Sequence, residues 1–189
     1  MKKLTSIIAV LLLAIAATAQ TLNVKVGNVT YQFPAEQAGE MTYSDGATLT
    51  ILNKVFTISD ITAITIDNSS VTDNTVTVAY NGTTAAVTVA GNIAQYIEAS
   101  VSGADVTVNQ SADVTNDLIK AGTISEITYA LSGTSSDGSF NLAGSAKATV
   151  ELNGLTLTSQ SSAPINITNG KRIALSVKKG TTNSLTDCA

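Results

Sequence analysis

The pattern of apolar and polar positions is most regular in the last third of the chain, from Ile127 to Asn183. Three strand-like phrases recur there and each reaches a glycine: Ile127–Gly133, Ala148–Gly154 and Ile173–Gly180. Two shorter phrases, Ser139–Gly144 and Pro164–Gly170, lie between them. The unit recurs every 21 to 26 residues. A strand–turn–strand unit at this period is typical of stacked coils, each forming one layer of a parallel β-helix.

The part of the chain before this repeat has the shorter alternation of antiparallel strands. Residues 20–68 predict a β-hairpin region, beginning with strands Leu22–Val26 and Val29–Phe33 around Gly27-Asn28. Residues 69–110 predict a small antiparallel unit, whose clearest hairpin turns at Asn81-Gly82. Residues 111–125 break the strand pattern and are interpreted as a linker with one helical turn.

The first nineteen residues have the pattern of an export signal. Lys2 and Lys3 precede the apolar run from Ile7 to Ala17, and small residues at Ala17 and Ala19 form a cleavage site. The run is too short to span a bilayer comfortably, and no later segment is apolar enough. We therefore expect residues 1–19 to be removed and the protein to be exported, to the periplasm, the cell surface or the medium.

Composition narrows the classes of function. The chain is 44% hydrophobic, only 4% aromatic and 13% charged, which predicts an all-β core of Val, Ile, Leu and Ala. It has no histidine, the usual general base near neutral pH and the commonest metal ligand. A net charge of −4 without basic clusters disfavours nucleic acid as a partner. The single cysteine, Cys188, has no internal disulfide partner and is interpreted as a small packing residue.

Several phrases of the chain resemble a family of exported bacterial carbohydrate-binding domain proteins. The phrases are Ile127–Ser139, Val150–Thr158, Ala163–Ile167, Gly170–Ile173 and Lys179–Asp187, preceded by Val76–Gly103. The resemblance implies a right-handed parallel β-helix, similar in shape to pectate lyases but non-catalytic. It implies that residues 126–189 are an incomplete β-helix carbohydrate-binding domain, because family members continue for many more coils, and we expect this chain to be truncated at its C-terminus.

The resemblance also implies a function. We expect a polysaccharide-binding protein rather than an enzyme, with a flat outer sheet lined by Thr, Ser, Asn and Lys as its binding face. Relatives are associated with acidic plant polysaccharide and calcium, although no cofactor is expected in this chain itself. Two alternatives stay open: a surface adhesin or scaffold, and a polysaccharide lyase, which the missing base and metal cluster disfavour. The oligomeric state is not predicted.

Polar residues in the repeat and in the loops are the first candidates for a site. Asn153, Asn166 and Asn183 lie near repeated turn positions, where asparagines either form ladders between coils or simply make turns. The acidic loops Asp67-Asn68, Asp73-Asn74 and Asp113–Asp117 lack the spaced carboxylates of a calcium loop. We interpret these loops as turns and predict no metal site.

Charged and aromatic side chains supply the remaining candidates, and none of them is assigned to catalysis. Glu98, Glu126 and Glu151 lie in strand patterns. Glu126 and Glu151 are candidates for positions one coil apart, but both are expected to point to water. The Lys171-Arg172 pair is able to meet a uronate carboxylate, or else forms a solvated turn. The tyrosines are sugar-stacking candidates, most of them expected in the core: Tyr31, Tyr43, Tyr80, Tyr96 and Tyr129.

Overall fold

The computed structural model describes residues 20–38, 41–111, 114 and 116–187, and this part of the chain is all-β as predicted. Its strands are β1 (Thr21–Val26), β2 (Val29–Pro34), β3 (Thr42–Ser44), β4 (Thr48–Ile51), β5 (Lys54–Thr57), β6 (Ile61–Asp67), β7 (Thr75–Asn81), β8 (Thr84–Ala90), β9 (Ile97–Ser102), β10 (Asp105–Gln110), β11 (Ile127–Ser135), β12 (Ser139–Gly144), β13 (Ala148–Ser159), β14 (Ile165–Asn169), β15 (Ile173–Val177) and β16 (Ser184–Asp187). Short helices span Ala35–Ala38 and Asn116–Lys120, and 3₁₀ turns span Ile58–Asp60 and Gly91–Tyr96. The export signal and Cys188 lie outside the described residues.

Nine of the described strands form one large sheet. Its order is β15-β13-β11-β7-β8-β2-β1-β6, and β16 also pairs with β13. Strands β7, β11, β13 and β15 run parallel, whereas β1 pairs antiparallel with both β2 and β6. Strands from 20–68, 69–110 and 126–189 therefore share a single sheet.

A second sheet of the described part has the order β14-β12-β10-β9, with parallel pairing among β10, β12 and β14. The chain alternates between the two sheets from β11 to β15, so that each strand pairs with the strand two places later. A three-stranded antiparallel sheet, β3-β4-β5, completes the described strands. Each strand therefore lies next to the strand two places earlier in the same sheet, as the repeat of 21 to 26 residues predicts.

The core consists of apolar columns that run across the parallel strands. One column joins Val76, Tyr129, Val150 and Leu175 through successive register pairs. The first three side chains are fully buried, because β-strands turn alternate residues to one face. The second sheet contributes Val106, Phe140 and Ile165 in the same way.

Lys54 attaches the three-stranded sheet to the second sheet. Its ammonium group donates to the Ile97 carbonyl at 3.3 Å and to Glu98 Oε1 at 2.7 Å, and it lies 5.0 Å from the centre of the Tyr31 ring. The lysine is buried, whereas the Glu98 side chain is 71% exposed. Lys54 is the first residue of β5 and directly follows the turn residues Leu52 and Asn53.

The position of one predicted turn requires correction. The hairpin between β7 and β8 turns at Gly82-Thr83, because Asn81 pairs with Thr84 and the positive φ of 64° belongs to Gly82. A 3₁₀ turn follows β8 and ends at Tyr96, directly before β9. In that turn Asn92 pairs with the amide of Asn74, an interaction between loops that no periodic pattern encodes.

Two of the repeated glycines lie inside their strands instead of ending them. Gly133 lies within β11 and Gly154 within β13, both with positive φ. The register between these strands shifts at that point, so β13 bends. Beyond the bend β13 pairs with β16 instead of β15.

Candidate functional site

The outward face of the nine-stranded sheet carries small polar side chains in a row across the strands. Thr88 of β8 pairs with Thr77 of β7. Thr77 in turn pairs with Ala130 of β11, which pairs with Glu151 of β13. These positions alternate with the buried columns, so the period of two that buries the core also builds this row.

A groove of about 430 Å³ lies along this row, and we call it the outer groove. The loop Ser70–Thr72 lies beside it and forms one wall. Its other lining residues are Gln32, Thr75, Thr77, Thr88, Ala90, Thr128, Ala130, Glu151, Asn153 and Lys178. The floor is shallow because threonine and alanine occupy its centre, while longer side chains stand at its ends.

The outer groove offers both hydrogen-bond donors and acceptors. Among the described residues, the side chains of Thr77, Glu151 and Asn153 have no hydrogen-bond partner in the protein. Glu151 is the carboxylate and Lys178 the cation in the lining. A ligand with many hydroxyl groups can both donate to and accept from such a surface, since hydroxyls have both capacities.

The tyrosines lie outside the groove lining. Tyr31, Tyr80 and Tyr129 are buried, which confirms that most of the tyrosines belong to the core. Tyr80 Oη donates to the Ser139 carbonyl at 2.9 Å and thereby connects the two sheets. Tyr43 on β3 is 40% exposed, and Tyr96 is half-buried. The groove therefore presents polar groups instead of an aromatic platform.

Burial changes the acidity of the core tyrosines. It raises the pKa of Tyr31 to about 12, and the negative charge of Glu98 adds to the effect. Burial also raises the pKa of Tyr80 and of Tyr129 well above the ordinary value. Removing a phenol proton inside the core leaves a charge without water around it, which is the cause of all three shifts.

The three candidate asparagines have different roles. Asn183 Oδ1 accepts from the Leu155 amide at 2.7 Å, so this side chain connects the last described coil to the bend of β13. Asn166 is exposed and donates weakly to Asn141 at 3.4 Å. Asn153 lines the outer groove. The ladder interpretation is confirmed for Asn183.

A second ladder was missed in the sequence. Asn169 Nδ2 donates to the Ala146 carbonyl at 2.8 Å and to Gln110 Oε1 at 3.3 Å. Gln110 Oε1 also accepts from the Ala146 amide at 3.2 Å. These residues lie at or just beyond the ends of β10, β12 and β14. The sequence does contain a sign of this ladder, because the last residue of both β10 and β14 has an amide side chain.

The pairing of β11 with β13 places the charged candidates in different positions. Glu151 pairs with Ala130, so Glu126 and Glu151 are not opposite one another. Arg172 forms an ion pair of 2.6 Å with Glu126, which also accepts from the Thr149 hydroxyl. Glu98 forms an ion pair with Lys54. Glu151 is thus the candidate carboxylate that reaches the groove, and Lys178 is the cation that sequence reasoning missed.

The acidic loops act as local structure. Asp67 Oδ1 accepts from the Ser69 amide at 2.9 Å, and hydrogen bonds from Ser69 lower the pKa of its carboxyl. Asn74 joins the loop before β7 to Asn92 and Ser125. Asp113 lies outside the described residues. Within the described ranges no group of three or more Cys, Asp or Glu side chains is placed to hold a metal ion.

Comparison with known proteins adds one finding. Residues 115–189 match the family model described as carbohydrate-binding domain-containing protein. The matched segment contributes Thr128, Ala130, Glu151, Asn153 and Lys178 to the outer groove. No curated protein and no solved structure matches the chain. Among the described residues, no helix is long and apolar enough to cross a membrane.

The family match covers less than half of the chain and includes β11 to β16. It supports a carbohydrate-binding role for this segment, and a binding role more than a catalytic one. The remaining groove residues lie outside the match, on β2, β7, β8 and the loop Ser70–Thr72.

Proposed function

We propose that this protein is a non-catalytic polysaccharide-binding protein whose ligand lies in the outer groove. The observation that carries the proposal is the coincidence of two facts. The segment matching a carbohydrate-binding family supplies five of the thirteen residues that line a polar groove, and that groove is open to solvent on the face of a wide sheet. The groove follows the sheet from Gln32 on β2 to Glu151 on β13.

Binding uses hydrogen bonds to sugar hydroxyls. Five neighbouring strands, β2, β8, β7, β11 and β13, cross the groove. At a spacing of about 4.8 Å they span roughly 19 Å, which is enough for several rings of an extended glycan. Threonine hydroxyls and the Asn153 amide exchange hydrogen bonds with the ligand, while threonine methyl groups contact the C–H faces of the rings.

We further propose that the polysaccharide bound is an acidic glycan. Lys178 stands at one end of the groove as an exposed cation, able to pair with a uronate carboxylate. Calcium fits the described residues poorly, because it needs about six to eight oxygen ligands and the groove supplies one carboxylate. The proposal therefore involves no calcium held by the protein alone.

The proposal also includes where the protein acts and the fold around the groove. Residues 1–19 direct export, and the mature chain binds glycan outside the cytoplasm. Strands β11 to β16 form coils of a right-handed parallel β-helix, which their alternation between two sheets supports.

A glycan array on the purified full chain tests the function. It is probed with neutral and uronate-rich polysaccharides, with and without a calcium chelator. We expect retention of at least one polysaccharide class, favouring acidic chains, and little effect of the chelator. Retention of no glycan under either condition would contradict the proposal and favour a scaffold protein. Release of unsaturated oligosaccharide, seen by ultraviolet absorbance, would contradict the non-catalytic part.

A further inference from the structure

A second cleft lies near the start of β15, and we call it the basic cleft. It measures about 370 Å³, and its lining is polar or charged throughout: Asn116, Asp117, Lys120, Ser145 and Lys171. The short helix from 116 to 120 forms one side, and the turns before β13 and β15 form the other. The whole lining lies in the segment that matches the carbohydrate-binding family, whereas that segment supplies only part of the outer groove.

Lys120 and Lys171 bring two ammonium groups to the basic cleft. Both side chains are exposed, and within the described part of the chain neither forms an ion pair or a hydrogen bond. Arg172, the neighbour of Lys171, pairs instead with Glu126. The segment 115–189 carries six of the ten Lys and Arg residues but only five of the fourteen Asp and Glu residues. Positive charge is thus concentrated in the matched segment of an otherwise acidic protein.

Side-chain amides hold the turns of the basic cleft in place. Asn116 Oδ1 accepts from the Lys147 amide at 3.1 Å, in the turn before β13. Asn169 Oδ1 accepts from the Lys171 amide at 2.8 Å, in the turn before β15. Asn169 also donates to Gln110, whose side chain is buried. Because these bonds fix the backbone of both turns, the lining needs little reorganisation when a ligand binds.

The lining fits a ligand that carries one negative charge and several hydroxyl groups. The lysines attract an anion, while Asn116 Nδ2 and the Ser145 hydroxyl, both without a partner among the described residues, can donate to its oxygens. The exposed carboxylate of Asp117 accepts hydrogen bonds from hydroxyls and repels further negative charge. A sugar acid has a carboxylate with hydroxyls beside it, whereas a free sulfate ion has two charges and no hydroxyl.

We propose that the basic cleft is a second ligand site of this protein and that it binds a sugar acid. Lys120 and Lys171 hold the carboxylate, and Asp117 accepts from a hydroxyl of the same ring or of the next one. The choice of a sugar rests on the proposed function, whereas the preference for an anion rests on the lysines. The ion pairs form at the surface and contribute little each, so this site binds more weakly than the outer groove and adds recognition of negative charge.

An NMR titration of the full chain separates the two sites, because the backbone amide signals report on each of them. The probe is a trimer of galacturonic acid, and the neutral galactose trimer is its matched control, both at constant ionic strength. We expect the uronate trimer to shift the amide signals of Asn116, Ser145 and Lys171 and the neutral trimer to leave them nearly unchanged. The amide signals of Thr77 and Glu151 report on the outer groove in the same spectra.

Two double variants test the contact with the lysines. Lys120→Met with Lys171→Met keeps both apolar stems and should weaken binding of the uronate trimer at the basic cleft by about fourfold or more, since each exposed ion pair accounts for about twofold or more. Lys25→Met with Lys179→Met is the control, because it removes the same charge from exposed lysines outside the lining of both sites. The control should bind the trimer like the unchanged protein, and the spectra themselves show whether each variant is folded.

Inorganic sulfate distinguishes a sugar-acid site from a site for simple anions. Sodium sulfate should bind at the basic cleft more weakly than the uronate trimer, because Asp117 repels its second charge and finds no hydroxyl to accept from. Asp117→Asn should therefore tighten sulfate binding by about twofold. Sulfate that binds the unchanged protein as tightly as the trimer does would overturn the assignment to a sugar acid.

The remaining outcomes are equally decisive. Signals that shift only in the outer groove, or nowhere, would overturn the second site, and the first of these results would leave the proposed function standing. Signals that shift only in the basic cleft would support this inference and contradict binding in the groove. Equal shifts of the cleft signals by the neutral trimer, or equal binding by the two double variants, would overturn recognition of the anion by the lysines.

Discussion

Gly133 shows how a single residue determines the spacing of two strands. Its φ of 87° lies in the left-handed region, and an added Cβ would overlap the backbone carbonyl of Tyr80 on the neighbouring strand β7. Glycine is therefore required twice, for its conformation and for the close approach of the backbones. The repeated glycines are visible in the sequence, but the approach to β7 depends on a strand more than fifty residues away.

The first prediction concerns this position. Gly133→Ala should lower the free energy of unfolding by about 2–4 kcal/mol, because backbone strain adds to a clash that cannot relax in a paired sheet. Gly154→Ala, with φ of 72° but open space around it, should cost about 1–2 kcal/mol. Gly170→Ala, which has neither problem, serves as the control. Urea unfolding measures all three, and equal effects at Gly133 and Gly170 would refute the argument.

Lys178 is the residue through which the groove distinguishes ligands by charge. Lys178→Met keeps the length and apolar stem of the side chain and removes the ammonium group. Binding of a uronate-rich polysaccharide should weaken about two- to fivefold, the value of an exposed ion pair, while a neutral polysaccharide should lose less. Lys25→Met, on an exposed lysine outside the outer groove, is the matched control. Equal losses for both glycans in calorimetric titrations would exclude a charge contact here.

The raised pKa of Tyr31 predicts how the stability of the protein changes at high pH. Its pKa rises from 10.0 to about 12 on folding, so the folded state holds the phenol proton more tightly than the unfolded state. This contribution to stability is complete below pH 10 and is lost as the pH rises through about 12, and it amounts to roughly 2–3 kcal/mol. Tyr31→Phe should therefore flatten the decline in unfolding free energy over this interval. An unchanged pH profile would contradict the assigned cause.

At the scale of elements, alternation identifies strands well and identifies their partners poorly. The predicted strands around Gly27-Asn28 and in Val76–Val89 are present. The parallel pairing of β2 with β8 could not be predicted, since local patterns carry no information about which distant strand lies alongside. The bend of β13 was also missed, because a bulge is a property of two strands and not of one sequence phrase.

Asn183 supports that bend, and this predicts a local effect. Asn183→Ala removes the acceptor of the Leu155 amide and should lower the unfolding free energy by about 1–2 kcal/mol. Hydrogen exchange at Leu155 should accelerate more than exchange in β11. Asn166→Ala, an exposed residue with a long hydrogen bond, should change stability by less than about 0.5 kcal/mol. Unaltered protection at Leu155 would show that the side chain is not a structural tie.

At the scale of the whole molecule, the fold class was predictable and the site was not. A composition rich in β-branched residues with few aromatic residues predicts an all-β protein, and the repeats predict parallel pairing of alternate strands. The outer groove gathers Gln32, Thr77, Thr88 and Glu151 from four strands of different segments. These residues are close together only because of the strand order and register of the nine-stranded sheet, so no single sequence motif predicts the groove.

The central claim is that the outer groove binds polysaccharide, and one pair of variants tests it most directly. Thr77→Arg places a long side chain in the middle of the groove, and Thr134→Arg makes the same change at an exposed threonine of β11 outside the groove lining. Calorimetric titration with a polysaccharide retained on the array measures both. We expect Thr77→Arg to weaken binding by about tenfold or more and Thr134→Arg to bind like the unchanged protein. Equal binding by the two variants, with both folded, would contradict the account.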